Sequence, residues 1–364
     1  MEQVMKIEYQ LLEKSKQKQP VTSMKGIPFG SIRTNHMFVM NYEDNQWKNP
    51  RIVPYGPFSI EPGAICLHYA QEIFEGAKAY MHEDGELRLF RMDKNVERFN
   101  HSASELMMPA VPEELHMEAV MRLIDVERAW CPNEPESSLY IRPFMFGTQD
   151  SLGVKISNSY IFCIMVSPCG PYYAGGFSKA IRLLITEKFH RAVSGGTGTA
   201  KCGGNYAGSL KPAAYAQKMG ADQVLYLDAN NEYIEEVGTT NHYHVLKDGT
   251  FIIPEFNDSI LKSITSRSVL ELAAMGKIKA RNERIRIKDF IEGVRSGEII
   301  EAGGFGTAAV ISPVGSYIFD DGEVLTVGNG EVGEHSRELY KLYTDIQNGK
   351  TPAPEGWMVT VPHY

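Results

Sequence analysis

A glycine-rich stretch around one lysine decides how this sequence is interpreted: Ser194-Gly-Gly-Thr-Gly-Thr-Ala-Lys-Cys-Gly-Gly-Asn-Tyr206. Five glycines surround Lys201, and backbone that carries no side chain can approach a bound molecule closely. Hydrophobic periodicity predicts a strand before the stretch, at residues 180–186, and a helix after it, at residues 207–219. The stretch is therefore either a solvated loop or a loop that holds a ligand.

Three interpretations of Lys201 can be compared. A solvated loop lysine is the simplest. A phosphate-binding P-loop needs glycine directly before the lysine and serine or threonine after it, and the neighbours Ala200 and Cys202 exclude that motif. The third is a lysine that forms a Schiff base, with an amine made nucleophilic by desolvation or a nearby positive charge. The residues alone leave the first and third open.

A second glycine motif, Gly328-Asn-Gly-Glu-Val-Gly333, matches the GxGxxG pattern of dinucleotide-binding proteins. Such a site also needs a βαβ unit with an acidic residue about 20 positions further on. Only 31 residues follow Gly333, which are too few for a Rossmann domain. We expect a loop and the start of a helix, and we set aside a dinucleotide-dependent oxidoreductase.

Length and the order of predicted elements indicate the fold class. A chain of 364 residues exceeds the usual size of one hydrophobic core, so two domains are expected. Strands and helices alternate in both halves, which favours an α/β (mixed α+β) fold, and residues 64–69 are predicted to be a strand. The segment Pro168-Cys-Gly-Pro-Tyr-Tyr-Ala-Gly-Gly-Phe-Ser-Lys179 is typical of a linker. We expect a smaller domain at 1–170, a linker at 171–182 and a second domain with Lys201 at 183–364.

Charge, hydropathy and cysteine usage limit the partners. Lys+Arg 37 against Asp+Glu 45 gives a net charge of -8, which offers no basic face to a nucleic acid. No apolar run is long enough to span a bilayer, and the first twenty residues lack an apolar signal core. Five scattered cysteines form neither CxxC nor a metal-ligand spacing, as in a reducing compartment. We expect a cytoplasmic protein without a nucleic-acid partner, a membrane partner or a bound metal.

Several motifs together resemble the branched-chain aminotransferases, pyridoxal-phosphate (PLP) enzymes of the fold type IV group that is similar to D-amino-acid aminotransferase. Any one motif would be weak, but their order and spacing match the family from about Phe29 to the last helix. The motifs are Lys201-Cys-Gly-Gly-Asn-Tyr-Ala-Gly-Ser-Leu210, Glu236-Val-Gly-Thr-Thr-Asn241, Phe74-Glu-Gly76, Tyr140-Ile-Arg-Pro143, Ser259-Ile-Leu-Lys-Ser-Ile-Thr265 and Gly303-Gly-Phe-Gly-Thr-Ala308.

The resemblance implies a fold and a reaction. The fold would be two α/β domains with pyridoxal 5'-phosphate in the interdomain cleft. The reaction would be reversible transamination of L-leucine, L-isoleucine or L-valine with 2-oxoglutarate, which gives the branched-chain 2-oxo acid and L-glutamate. The family also implies a homodimer in which residues of the neighbouring subunit form part of the substrate pocket.

The same resemblance implies which residues bind the cofactor. Lys201 would be the cofactor-bound lysine and the proton carrier at the substrate Cα. Glu236 would pair with the protonated pyridine nitrogen, Tyr206 would contact the phenolic oxygen, and Arg98 would grip the phosphate through its guanidinium fork. Further implied contacts are Thr239, Ile264, Thr265 and Thr307.

Ile264 and Thr265 also have an argument of their own. They begin an apolar-periodic helix, and helix N-termini offer unpaired N–H groups and a favourable dipole to anions. The alternative is that Thr265 only caps the helix.

The substrate pocket implied by the family is mainly aromatic and suits a branched aliphatic side chain. Its members would be Phe29, Tyr69, Phe74, Tyr140 and Tyr172, with Thr239, Thr307 and Ala308. Because the enzyme must also accept glutamate, Arg142 would meet the glutamate side-chain carboxylate. The alternative for Arg142 is a structural salt bridge.

Other functions remain as alternatives. A D-amino-acid aminotransferase and an aminodeoxychorismate lyase share the lysine, the glutamate and the arginine, but they are usually shorter, and the motifs at Tyr140 and Gly303 favour the branched-chain group. A PLP-binding protein without catalysis would not need the ring-nitrogen carboxylate of Glu236. Arg191, just upstream of the glycine-rich stretch, receives no role from the sequence.

Overall fold

The structure is a computed structural model that describes residues 5–170 and 176–364. Contacts divide the chain into two compact units. The first contains Ala200–Gly203, Asp345–Tyr364 and the described residues of Met1–Tyr172, and the second contains Gly204–Thr344 and the described residues of Tyr173–Thr199.

This division differs from the sequence-based boundaries in two segments. Ala200–Gly203, which carries the lysine, belongs to the first unit because Ile73 and Cys202 form a β-bridge. Asp345–Tyr364 also belongs there, because its strand pairs with a first-unit strand. Within the predicted linker, residues 171–175 lie outside the described part. The packing partners of both segments are distant in sequence, so composition could not assign them.

The elements follow one another in chain order. The strands are β1 (Glu8–Tyr9), β2 (His36–Glu43), β3 (Gln46–Pro54), β4 (Glu72–Phe74), β5 (Ala77–Met81), β6 (Leu87–Phe90), β7 (Ser138–Gly147), β8 (Tyr160–Cys169), β9 (Ile181–Ile185), β10 (Gln223–Leu227), β11 (Ile234–Val237), β12 (Thr240–Leu246), β13 (Phe251–Pro254), β14 (Ala280–Glu283), β15 (Ile299–Gly306), β16 (Val310–Phe319), β17 (Val324–Thr326) and β18 (Met358–Thr360). The α-helices are α1 (Ile65–Tyr69), α2 (Met92–Glu105), α3 (Glu113–Val126), α4 (Gly203–Gly208), α5 (Leu210–Lys218), α6 (Ile264–Ala274), α7 (Ile287–Ser296) and α8 (Glu334–Gln347). The expected α/β composition is confirmed.

The first unit is built on a mixed sheet with strand order β1-β3-β2-β8-β7-β5-β6-β18, with β4 paired to β7. Helix α2 covers this sheet because its apolar residues recur every three or four positions, as in an amphipathic helix. Val96, Phe99 and Ala103 on that face are buried, and the Phe99 ring lies 5.3 Å from the Phe162 ring of β8. The helix that contains Arg98 is therefore fixed to the sheet by its apolar face.

The prediction of a strand at residues 64–69 is wrong, since the structure has helix α1 there. Ala70 adopts a left-handed conformation with φ 49° and ends the helix by donating its N–H to the Cys66 carbonyl. Ile65 is buried, whereas Leu67 and Tyr69 are 59% and 40% exposed. The apolar alternation therefore marks no buried face, and a short apolar run cannot distinguish strand from helix by period.

The second unit is built on a sheet with strand order β11-β10-β9-β16-β15-β12-β13-β14. An additional pairing between β11 and β12 closes the run from β11 to β12 into a ring. Phe290 of α7 packs on this sheet, with its ring 5.3 Å from Tyr317 and 5.3 Å from His242. Burial lowers the pKa of His242 well below its ordinary value and that of His244 to about 3. The histidine pair is therefore neutral core.

The second glycine motif is a loop and a helix start, as predicted, because α8 begins at Glu334. The Glu301 carboxylate accepts hydrogen bonds from the N–H groups of His335 at 2.9 Å and Ser336 at 2.8 Å. A Cβ at Gly333 would lie 1.9 Å from the Glu301 carboxyl carbon. The last glycine of the motif thus makes room for a capping carboxylate.

The described residues contain neither a helix that could span a membrane nor a cluster of metal-ligating side chains. No helix there combines the length and the apolar character that crossing a membrane requires. In that same part of the chain, no group of three or more His, Cys, Asp or Glu side chains is arranged to hold a metal ion.

Candidate active site

The Lys201 backbone is held from both sides within the first unit. The Phe74 N–H donates to the Lys201 carbonyl at 3.0 Å. The Lys201 N–H donates to the hydroxyl of Ser102 at 2.9 Å, and that hydroxyl donates to the Arg98 carbonyl at 3.0 Å. Ser102, which is fully buried, thus ties the lysine to helix α2. Sequence reasoning missed Ser102, because nothing local marks a buried helical serine as a contact of Lys201.

Two cations contact the ring of Phe74. The Lys201 Nζ lies 4.7 Å from the ring centre, and the Arg142 guanidinium carbon lies 4.9 Å from the same centre. Since each lies within 5 Å of one point, the two cations are no more than about 10 Å apart. Both distances are in the range of a cation–π contact. The structure therefore brings together three residues that the sequence predicted as site members.

Arg98 and Glu75 form a buried ion pair in the first unit. The Arg98 Nε and Nη2 donate to the two Glu75 oxygens at 2.6 and 2.9 Å. Asn95 adds a hydrogen bond to Glu75 at 2.7 Å, and the Glu75 side chain is completely buried. This two-point geometry orients the guanidinium plane. Glu75 is the middle residue of the Phe74-Glu-Gly76 motif, but the sequence alone assigned it no role.

The Glu75 carboxyl predicts a pH dependence of stability. Burial alone would raise its pKa, but the Arg98 guanidinium, with help from Lys201 and Asn95, holds that pKa below the ordinary value of 4.5. A lowered pKa in the folded state stabilises the protein above the unfolded-state pKa, and this contribution is lost as pH falls through the folded-state pKa. We expect the free energy of unfolding to fall below pH 4.5 less steeply in Glu75→Gln than in the wild type.

Urea unfolding at a series of acidic pH values measures this difference. Glu43→Gln, at an exposed carboxylate of β2, is the matched control and should keep the wild-type slope. Equal slopes in Glu75→Gln and the wild type would contradict the assignment.

A pocket of about 190 Å³ in the first unit brings together Phe29, Tyr140 and Arg142. The Phe29 and Tyr140 rings meet edge to face at 4.9 Å, and the Arg142 Nη2 donates to the Tyr140 hydroxyl at 3.0 Å. A Cβ at Gly76 would lie 2.1 Å from that hydroxyl, so the motif glycine leaves space for Tyr140. The remaining lining residues are Gly30, Arg33, Met165, Val166 and Ser167.

Other predicted substrate residues do not line this pocket. Phe74 lies beside Lys201 instead. Tyr69 is 40% exposed, and its hydroxyl donates to the Leu152 carbonyl. Tyr172 lies outside the described residues.

In the second unit, Glu236 is paired with an arginine that the sequence left without a role. The Arg191 Nη2 lies 3.0 Å from the Glu236 Oε1, and the side chains are 7% and 4% exposed. The same oxygen accepts the Leu261 N–H at 2.7 Å. Arg191 also donates to the carbonyls of Gly198 and Ser259. The buried Glu236 carboxylate therefore has a cationic partner within its own unit.

Helix α6 begins at Ile264, where the sequence predicted a helix N-terminus. Its N-cap is Ser263, whose hydroxyl accepts the Ser266 N–H at 3.3 Å, so the alternative that Thr265 caps the helix is wrong. Thr265 is buried in the first turn. The N–H groups of Ile264 and Thr265 have no acceptor within the helix, and the helix dipole favours an anion beside them.

Three of the remaining predicted residues lie near the ends of strands in the second unit. Thr239 is exposed between β11 and β12, and Thr307 and Ala308 are half-buried between β15 and β16. Asn241 of β12 pairs with Phe305 of β15, which brings these two turns to one end of the sheet. Tyr206 is half-buried in α4.

The polar groups of each unit match the chemistry of pyridoxal 5'-phosphate. The first unit offers a lysine amine and an oriented guanidinium. The second offers a buried carboxylate, which suits a protonated ring nitrogen, and a helix N-terminus, which suits a phosphate. The Nε of Arg191 is buried without a hydrogen-bond partner among the described residues. Arg191 therefore has one N–H group that could still donate a hydrogen bond to a ligand.

Comparisons with known proteins agree with this chemistry. The family model described as amino-transferase class IV matches residues 72–317. Branched-chain-amino-acid transaminase 1 of Bacillus subtilis (strain 168) is 44% identical over 335 residues, which cover 92% of this chain and 94% of that protein. The probable branched-chain-amino-acid aminotransferase of Staphylococcus aureus (strain MRSA252) is 44% identical over 366 residues, with 100% of both chains covered.

Solved structures give the same result. The branched-chain amino acid aminotransferase of Escherichia coli is 25% identical with a TM-score of 0.75, and the match covers 90% of this chain and 99% of that one. The T.th. branched-chain amino acid aminotransferase complexed with N-(5'-phosphopyridoxyl)-L-glutamate is 26% identical with a TM-score of 0.71, covering 89% and 98%. By sequence and by fold, the chain belongs to the branched-chain-amino-acid aminotransferases of class IV, which use pyridoxal 5'-phosphate.

Proposed function

We propose that this chain transfers the amino group of L-leucine, L-isoleucine or L-valine to 2-oxoglutarate, giving the branched-chain 2-oxo acid and L-glutamate, and that it also runs the reverse reaction. The observation that carries the proposal is the shared ring of Phe74. The Lys201 amine and the Arg142 guanidinium both contact this ring, and Arg142 also lines an aromatic pocket. A group that can move protons thus lies beside a surface that suits apolar side chains.

In the first unit, Lys201 would hold the cofactor and move a proton at the substrate Cα. A lysine amine can form a Schiff base with a carbonyl group and can transfer a proton. Arg98, oriented by Glu75, would bind the phosphate. Ser102 would hold the Lys201 backbone beside the Arg98 backbone, since its hydroxyl forms hydrogen bonds to both.

In the second unit, Glu236 would hold a proton on the ring nitrogen, and Arg191 would keep that carboxylate charged and oriented. Pyridoxal phosphate, when bound, supplies a ring that withdraws electrons from the substrate Cα. Ile264 and Thr265 would donate N–H groups to the phosphate, and Tyr206 would donate to the phenolic oxygen. Thr239 and Thr307 would add contacts, since their turns share one end of the sheet.

Substrate choice would depend on two kinds of surface in one pocket. Phe29 and Tyr140 would pack against a branched aliphatic side chain, with Tyr69, Phe74, Tyr172 and Ala308 as further members. Arg142 would bind the side-chain carboxylate of glutamate through a charge-assisted hydrogen bond. Its alternative role, a structural salt bridge, loses support because no described carboxylate pairs with it.

The proposal extends to assembly and compartment. A homodimer is expected from the family, and sedimentation equilibrium would test it. A cytoplasmic location is supported by the five cysteines, all of which are free thiols, since disulfides are rare in reducing compartments.

The visible absorption spectrum of the purified holoenzyme tests the reaction. L-leucine should bleach the yellow band of the bound cofactor, and 2-oxoglutarate should restore it, because the amino group is first taken up and then released. D-alanine is the control and should leave the band unchanged. Bleaching by D-alanine but not by L-leucine would replace this proposal with a D-amino-acid aminotransferase.

A further inference from the structure

The pocket that contains Arg142 has a second guanidinium, that of Arg33. We propose that Arg33 is a specificity-determining residue that binds the side-chain carboxylate of glutamate and 2-oxoglutarate together with Arg142. It would contribute little to leucine, isoleucine or valine. The inference rests on the proposed function, and it assigns a role to a residue outside the family motifs.

The pocket has a positively charged lining. Its lining contains two arginines and no described aspartate or glutamate. Within the described residues, neither Arg33 nor Arg142 forms an ion pair. The Arg142 Nε is buried and has no hydrogen-bond partner there, which is costly for a polar group unless a ligand supplies an acceptor. Two uncompensated positive charges in one cavity favour an anion.

The position of Arg33 suits a preformed anion site. Its Nη1 donates to the Ile32 carbonyl at 3.1 Å and also to the Gly30 carbonyl. Gly30 has φ 67°, a left-handed conformation that glycine adopts without strain, so the loop can fold back under its own arginine. The guanidinium is thus held by the loop, and less side-chain freedom is lost when a ligand binds.

The pocket is also close to the reacting amine. Arg142 contacts the ring of Phe74, and so does the Lys201 Nζ. Because the Arg142 guanidinium and the Lys201 Nζ are no more than about 10 Å apart, an anion bound by Arg33 and Arg142 could be the far carboxylate of a short dicarboxylate that reacts at Lys201. The Phe29 and Tyr140 rings in the same lining leave an apolar surface for a leucine side chain. One pocket can therefore accept both substrate classes.

The test compares dicarboxylate and monocarboxylate ligands of the holoenzyme. Binding of glutarate and of 4-methylvaleric acid is measured by titration calorimetry, and kcat/KM is measured for L-glutamate and L-leucine. In Arg33→Gln, we expect glutarate affinity and the glutamate kcat/KM to fall about 10- to 100-fold, as for a lost hydrogen bond between charged groups. The values for 4-methylvaleric acid and leucine should change less than about threefold. Arg33→Lys should recover part of the loss.

The control is Ser31→Ala in the same loop. The Ser31 hydroxyl donates to the Pro28 carbonyl at 2.8 Å, so this variant perturbs the loop without changing charge and should leave the ratio of the two ligands unchanged. If Arg33→Gln weakens both ligands equally, or neither, Arg33 only supports the loop and the inference is wrong. Those outcomes leave leucine transamination in place. Failure of the wild type to transaminate leucine would instead overturn the proposed function, and the glutarate titration would still decide the role of Arg33.

Discussion

Lys201→Ala should lower the turnover of L-leucine by at least about a thousandfold, because in the proposed mechanism one amine would both hold the cofactor and move the proton at Cα. The yellow absorption of the lysine-bound cofactor should disappear with it. The loop should keep its place, since Ser102 and Phe74 bond the Lys201 backbone and not its side chain. A coupled assay for glutamate formation and the visible spectrum measure the two effects, and far-UV circular dichroism checks the fold.

The control for that experiment is Lys211→Ala. Lys211 is exposed in α5, so the variant removes a nearby lysine without touching the site and should keep activity within about twofold. If Lys201→Ala retained a tenth of the wild-type turnover, another group would have to move the proton, and the assignment of Lys201 would fail.

Arg191→Met should lower the free energy of unfolding by about 3–5 kcal/mol, because it removes the guanidinium that compensates the buried Glu236 carboxylate. Both side chains of the pair are less than a tenth exposed, so water cannot replace the lost interaction. Arg191 also donates to the carbonyls of Gly198 and Ser259, and the variant therefore loosens the connection between the glycine-rich stretch and the segment before α6. Urea unfolding followed by far-UV circular dichroism is the appropriate measurement.

A double variant distinguishes the loss of the ion pair from nonspecific destabilisation of the fold. In Arg191→Met/Glu236→Gln neither charge of the pair remains, so it should be more stable than Arg191→Met alone. Arg182→Met is the matched control. The exposed Arg182 side chain donates to the Ser316 hydroxyl at 3.0 Å, and its loss should cost less than about 1 kcal/mol. A double variant no more stable than the single one would contradict the buried-pair interpretation.

The α/β class and the family could be predicted from the sequence because they depend on local patterns and on several short motifs in a fixed order, whereas the role of Lys201 stays a prediction. The neighbours of Lys201 alone exclude a Walker motif, and the helix start at Ile264 follows from periodicity. The strand predicted at residues 64–69 was wrong for the opposite reason. Five or six apolar residues satisfy either period, and only the exposure of Leu67 and Tyr69 shows that no sheet face is formed.

Contacts between segments that are distant in sequence could not be predicted from the sequence. Glu75 and Arg98 are 23 positions apart, and Lys201 and Ser102 are 99 apart. Arg191 and Glu236 form an ion pair between separate segments of the second unit. Nothing in the neighbours of these residues encodes the contact, because a carboxylate or guanidinium is equally compatible with solvent until the fold buries it.

The sequence by itself determined which chemical groups this protein carries and which short segments present them: an amine among glycines, a carboxylate in a short strand and N–H groups at a helix start. Only the tertiary structure decided which charges are paired and which are left for a ligand. Arg191 is neutralised by Glu236, whereas Arg33 and Arg142 line one pocket whose described lining contains no carboxylate. The physical reason is that the strength of a charge interaction depends on distance and burial, and the fold sets both.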